Sequence, residues 1–207
     1  MPDATSQAPR LADRLAISDL MTGWIHRDLG QWDDLRALFT PDATIEITWF
    51  RGLAADFVAG SERMGAGRLR TKHLITNPVI TFSDTHPEHA FVETNAMIVG
   101  EIGDLALGTA THNRFLDRVV RTDDGWRIAH RGSSYDMSTF TYPWGVQAAA
   151  DVDETALRRH PVEYASLAYL LEQAGFDVSG TFPTRGSDLE HDIRQAGIAW
   201  LTEGEHA

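Results

Sequence analysis

The sequence predicts an α+β domain: N-terminal helices, then an antiparallel run of strands, with a helical extension at the C-terminus. Three observations predict it. Helical periodicity dominates the start of the chain. Strand-like stretches then follow one another from Lys72 to Tyr135, and helical spacing returns after Phe140. Helices first and a strand meander afterwards do not make βαβ units.

Residues 1–10 read as a disordered leader. From Leu11 the apolar positions Leu11, Leu15, Ile17, Leu20, Met21, Trp24 and Ile25 recur at helical spacing. That helix is expected to end near Asp28-Leu29-Gly30, with Gly30 as its C-cap. Asp33 to Phe39 makes a second short helix with acids in its first turn, where the dipole favours them, and Thr40-Pro41-Asp42 breaks it. Ala43 to Phe50 reads as a strand and Ala54 to Arg68 as a third helix. Further strands are expected at Lys72–Phe82, Ala90–Val99, Leu105–Arg121 and Trp126–Tyr135. Asp123-Asp124-Gly125 is a hairpin turn between the last two. Tyr142-Pro143-Trp144-Gly145 opens a loop, followed by a helix over Pro161–Ala174 and another from Ser187 to about Leu201. The second begins with a capping box, Ser187 and Glu190. The organisation is thus a leader (1–10), a cone domain (11–140) and an extension (141–207). The extension is too sparsely apolar for a core of its own, so it packs on the cone or on a partner subunit.

Composition excludes several classes. The 207 residues are 43% hydrophobic and 23% charged, which suits a folded domain rather than disorder. There is no cysteine, hence no disulfide framework, thiol nucleophile or thiolate metal site. With 18 Lys+Arg against 30 Asp+Glu the net charge is −12, the wrong sign for a nucleic-acid partner or an anionic membrane. No apolar run approaches the ~20 residues that span a bilayer, and Met1 to Arg10 has no secretion-signal core. The cytoplasm is the expected location. Phosphate-binding loops and dinucleotide fingerprints are absent, so no cofactor is expected.

Three stretches carry candidate chemistry. His26 to Leu35 places an acid, Asp28, where an amphipathic helix ends. Lys72 to Ile80 brings His73 into an apolar strand. Gly125 to Arg131 is a strand after a hairpin, with two cations, Arg127 and Arg131. Together the patterns Asp-x3-Trp-x2-Leu, His-x3-Asn-Pro-x-Ile and Trp-x-Ile-x-x-Arg resemble, in order and spacing, the SnoaL-like branch of the nuclear transport factor 2-like superfamily. Hexachlorocyclohexane dehydrochlorinase, scytalone dehydratase and bile acid 7α-dehydratase are similar enzymes of that group. The resemblance covers about Leu11 to Tyr135 and implies a cone-shaped, curved antiparallel sheet with the N-terminal helices packed over its concave face. It implies a catalytic aspartate at Asp28, a catalytic histidine at His73 and a cavity arginine at Arg131. The first-helix lysine of the dehydrochlorinase has no counterpart, because Gly23 stands there.

What the resemblance implies is a cofactor-independent lyase acting on a hydrophobic cyclic or aromatic small molecule, with loss of water, halide or a small aldehyde such as formaldehyde. A ketosteroid-isomerase type of isomerase is an alternative. So is a non-catalytic ligand-binding module or helper subunit of a ring-hydroxylating dioxygenase. The family also implies a homo-oligomer, a dimer or trimer. Donors for developing charge are sought among Arg131, Asn95, His112 and Tyr135. Phe91, Glu93, Asn95 and Met97 share one face of their strand, and that mixed face suits a cavity wall, although the opposite assignment is open. Trp24, Trp49, Phe50, Phe140, Tyr142 and Trp144 form either an aromatic-accepting pocket or core packing. The loop at 140–146 is placed to close the mouth. His86-Pro87-Glu88-His89 has the look of a metal-ligand cluster but sits among turn residues without a third ligand, and is read as a solvated loop.

Overall fold

The computed structural model describes residues 4–203. It opens with α1 (Ala4–Thr22), α2 (Ile25–Leu29) and α3 (Trp32–Arg36). α1 begins inside the stretch read as a disordered leader. Ala4, Gln7 and Ala8 are good helix formers and continue the helix upstream of Leu11. Met1 to Asp3 lie outside the described residues. Ile17, Leu20, Met21 and Trp24, three and four apart, are the buried stripe.

The first helix is not continuous to Asp28. His26 N–H donates to Gly23 O and Arg27 N–H to Trp24 O, the tighter three-residue spacing, before the chain settles into α2. α2 stops at Gly30, whose φ of 68° suits a residue without a Cβ. Gly30 N–H donates to Arg27 O and Gln31 N–H to His26 O, the two bonds of a Schellman end.

The strands are β1 (Phe39–Ile47), β2 (Phe50–Leu53), β3 (Leu69–Ile75), β4 (Val79–Phe82), β5 (His89–Ile102), β6 (Leu107–Thr122) and β7 (Gly125–Thr141), with α4 (Ala54–Gly65) between β2 and β3. Among the described residues they form one sheet ordered β2-β1-β7-β6-β5-β3, with β4 also on β5. The expected Ala43–Phe50 strand is two, because a turn at Thr48-Trp49 folds β2 back onto β1. The expected Lys72–Phe82 strand is also two. Pro78 has no N–H for the ladder, and β3 and β4 take different halves of β5. The sheet is antiparallel except that β1 runs parallel to β7, with Ile45 opposite Arg131. No tight turn joins these two strands, so nothing imposes a hairpin direction on them.

Two register shifts between β6 and β7 leave Ala129 and Asp136 without partners. Each bulge bends the sheet and reverses which residues face inward. Ile128 before the first, and Arg131, Ser133 and Tyr135 after it, are therefore all buried.

The concave side holds two buried clusters. The N-terminal helices and α4 cover one, around Trp24, Phe57, Phe115 and Ile128. The other, around Tyr135, Tyr164, Leu167 and Leu171, is covered by the extension, which comprises α5 (Glu154–Leu157), α6 (Ala165–Gln173) and α7 (Asp188–Glu203). α6 lies over the open end of the cone. α7 packs on the convex face, where Trp200 Nε1–H donates to Val119 O (3.3 Å) and Arg194 pairs with Glu93 (2.6 Å). Its capping box is offset by one residue: Ser187 Oγ accepts the Glu190 N–H, but the Glu190 carboxylate accepts from Gly186. No helix among the described residues is long and apolar enough to cross a membrane.

Gly197 of α7 lies against the Phe91 ring, with no room there for a Cβ. Gly197→Val is expected to lift α7 from the sheet and to destabilise the protein by about 1–3 kcal/mol, read as a lower midpoint in thermal denaturation.

Candidate active site

The Schellman turn fixes Asp28 at the end of α2, facing edge strand β3. An edge strand leaves alternate N–H groups without a ladder partner. Asp28 meets one of them: its Oδ2 accepts the His73 backbone N–H at 2.7 Å, while Oδ1 accepts from His73 Nδ1 at 2.6 Å. A carboxylate only accepts, so the ring proton sits on Nδ1 and Nε2 keeps its lone pair. Among the described residues nothing bonds to Nε2. The two side chains are 6% and 1% exposed.

Burial holds the His73 pKa below its ordinary value. The hydrogen bond to Asp28 opposes that shift, and the positive fields of Arg27 and Arg131 add to it. For Asp28, burial alone would raise the pKa, but the hydrogen bonds and charge of His73, with help from Arg27, hold it below the usual carboxylate value. The pair is therefore a neutral imidazole on an ionised carboxylate near neutral pH.

His73 borders a narrow cavity whose walls include Trp24, Trp49, Phe115 and Ile98, and to which α6 contributes Leu167 and Leu171. The space between side chains is about 420 Å³ including its mouth. Tyr135 donates to Thr48 Oγ1 (3.3 Å) and accepts the Thr48 N–H (3.2 Å). Asn113 Nδ2 donates to Ser133 Oγ (2.8 Å). Asn113 Oδ1 and Trp24 Nε1 are buried without a partner, and both residues border the cavity. One acceptor and one donor thus remain for a ligand.

Of the residues singled out in the sequence, Asp28, His73, Trp24, Trp49 and Tyr135 come together here. Arg131 does not border the cavity. It makes two hydrogen bonds to Asp117 (2.8 and 2.7 Å), and its guanidinium carbon lies 4.5 Å from the Trp24 ring centre and 4.2 Å from that of Phe115. Its charge is neutralised behind two rings of the wall. Asn95 and His112 are exposed and Met97 is half-buried on the convex face. The inward residues of β5 are the even ones, among them Val92, Ala96 and Ile98, and Met97 lies opposite His112 across the ladder. Tyr142 and Trp144 are exposed, because the chain leaves β7 beyond the rim. α6, not the 140–146 loop, covers the cavity. His89 is no loop residue: it is buried, stacked on Trp200 at 3.9 Å, and donates from Nδ1 to Trp200 O (3.1 Å). Among the described residues no three His, Asp or Glu side chains gather as a metal site.

Of the cavity residues that sequence reasoning missed, Phe115 and Asn113 among them, Arg27 is the charged one. Its signal was present, since Trp24, Arg27 and Asp28 stand three and four apart and so share a helix face.

The profile of the family described as SnoaL-like domain matches residues 9–132. The chain belongs to that family. This SnoaL-like domain has a curved open sheet covered by helices, and solved structures share its fold. A candidate scytalone dehydratase from Novosphingobium aromaticivorans is 23% identical with a TM-score of 0.56, over 69% of this chain and 95% of the other. The hexachlorocyclohexane dehydrochlorinase LinA-type3 from Novosphingobium barchaimii is 20% identical with a TM-score of 0.53, over 70% and 97%. A candidate aromatic ring hydroxylase from N. aromaticivorans is 24% identical with a TM-score of 0.53, over 63% and 94%. At such identities the likeness is one of fold. No curated protein matches the chain.

In an NMR titration the His73 ring is expected to have its midpoint below about 6.5, the ordinary histidine value. Asp28→Asn removes the group that raises it, so the midpoint should fall further. Because the folded-state pKa lies below the unfolded one, protonation favours the unfolded chain. Stability should decline as pH falls through about 6.5, and further as Asp28 is protonated below about 4.

Proposed function

We propose that the chain is a cofactor-independent lyase. His73 Nε2 removes a proton from carbon, the C–H electron pair forms a double bond, and a vicinal leaving group departs with its bonding pair. Asp28 fixes the imidazole tautomer and stabilises the imidazolium that forms. The substrate is a hydrophobic cyclic or aromatic small molecule, and the leaving group is halide, or hydroxide that takes the proton from the His73 imidazolium and departs as water; for loss of a small aldehyde the same base takes a hydroxyl proton instead, the O–H pair becomes the aldehyde C=O, and the C–C pair stays on the ring carbon. The observation that carries this reading is the 2.6 Å Asp28–His73 contact with Nε2 left free beside an apolar cavity. A helper subunit or passive binder has no need of an oriented, neutral imidazole there. Isomerisation uses the same base with the proton returned to another carbon, and product analysis separates the two.

Trp24, Trp49 and Phe115 suit an aromatic or cyclic ring. The exposed apolar residues Leu74, Val79 and Met137 fit the proposed homo-oligomer, a dimer or trimer.

The test is a panel of aromatic and alicyclic alcohols, halides and hydroxymethyl compounds, assayed for released water, halide or aldehyde and for deuterium exchange at carbon. His73→Gln is expected to lose about 10²–10⁴-fold of turnover, with chelators leaving the wild type unchanged. Full activity in His73→Gln, or strict dependence on an added metal, would sink the proposal. Leu171→Ala is expected to enlarge the cavity and lower KM for bulkier substrates while leaving the His73 titration midpoint in place, since it alters only the space beside the pair. A KM series across ring sizes checks this.

A further inference from the structure

Arg27 borders the cavity, yet the elimination chemistry gives it no task. Its guanidinium is buried and makes no ion pair among the described residues. Nε donates to Ser61 Oγ (3.3 Å), Nη1 to Thr71 Oγ1 (2.9 Å) and Nη2 to Met64 Sδ (3.1 Å). All three acceptors are neutral, and a thioether is a weak one. The neighbouring carboxylate, Asp28, has both oxygens engaged by His73. Arg131, the other buried arginine among the described residues, is ion-paired with Asp117 through Nε and Nη2.

A buried guanidinium whose neighbouring carboxylate is already engaged by His73 keeps N–H donors for a further acceptor. Burial pulls the Arg27 pKa down to about 10, partly offset by Asp28, which still leaves it charged near neutral pH. Arg27, Met64 and Thr71 also border a second cleft, reaching Trp32 and Arg70, so the guanidinium stands between the cavity and that cleft. A planar guanidinium in such a place matches a planar carboxylate.

We propose that Arg27 binds a carboxylate carried by an otherwise apolar ligand, whose body occupies the cavity beside His73. The proposal rests on reading the cavity as the substrate site but not on which reaction follows. It makes the substrate an amphipathic acid rather than a wholly neutral ring compound.

Calorimetric titration near neutral pH with trans-cinnamate and trans-cinnamamide, which share a ring and differ in charge, tests it. The wild type is expected to bind the carboxylate at least about tenfold more tightly than the amide. Arg27→Gln should abolish the preference, and Arg27→Lys, keeping charge but not the planar fork, should reduce it. His73→Gln, which stops proton abstraction, should keep it, so a failed elimination assay and a failed anion site are told apart. Equal affinity for the two probes, binding of neither, or a preference that survives in Arg27→Gln overturns the proposal. Should Arg27→Gln not fold, an undiminished preference in Arg27→Lys does so.

Discussion

Asp28 ties a helix end to a sheet edge and a base to its orientation with the same two oxygens. One oxygen satisfies a main-chain N–H that edge strand β3 leaves open, and the other holds the imidazole. The consequence is mechanical as well as chemical. The ring cannot turn without losing its partner, and β3 cannot slide along β5 without moving the ring. Everything else near the cavity is arranged around that double attachment: the Schellman end that aims Asp28, Trp24 standing edge-on to the imidazole at 5.9 Å, and the aromatic stack behind Trp24.

The charges around the pair follow one logic. Two buried guanidiniums lie close enough to bias His73 toward its neutral form. One is cancelled by Asp117, so its remaining effect is largely to hold Trp24 and Phe115 in place. The other donates only to hydroxyl and thioether groups, with the charge of Asp28 nearby as its counterweight.

Much of this was legible in the sequence. Helical and strand periodicities gave the α+β class, Gly30 marked the helix end, and Asp28 and His73 were paired before any geometry was known. What escaped has identifiable causes. The even-odd alternation of β5 fits two faces equally well until its register with β6 is known, which is why Asn95, Met97 and His112 were placed on the wrong side. Arg131 stands at the inward position expected of it, but the presence of Asp117 behind the rings is a tertiary fact. Bulges at Ala129 and Asp136 invert the inward set twice along β7, and no local pattern announces them. Tyr142 and Trp144 drew attention as aromatic residues at the root of the extension, yet the covering of the cavity falls to Leu167 and Leu171, two ordinary leucines of a helix indistinguishable by sequence from one that packs elsewhere.

The family match ends at residue 132, whereas α6 begins at Ala165. The wall beside His73 thus comes from two stretches of chain: the family-matched part, which holds Asp28 and His73, and a helix beyond it, which closes the space above them. Changes in α6 redraw the room available to a ligand without disturbing the hydrogen bonds between Asp28 and His73. One side of the cavity can thus be reshaped by rewriting a single helix while the contact that holds the imidazole stays fixed.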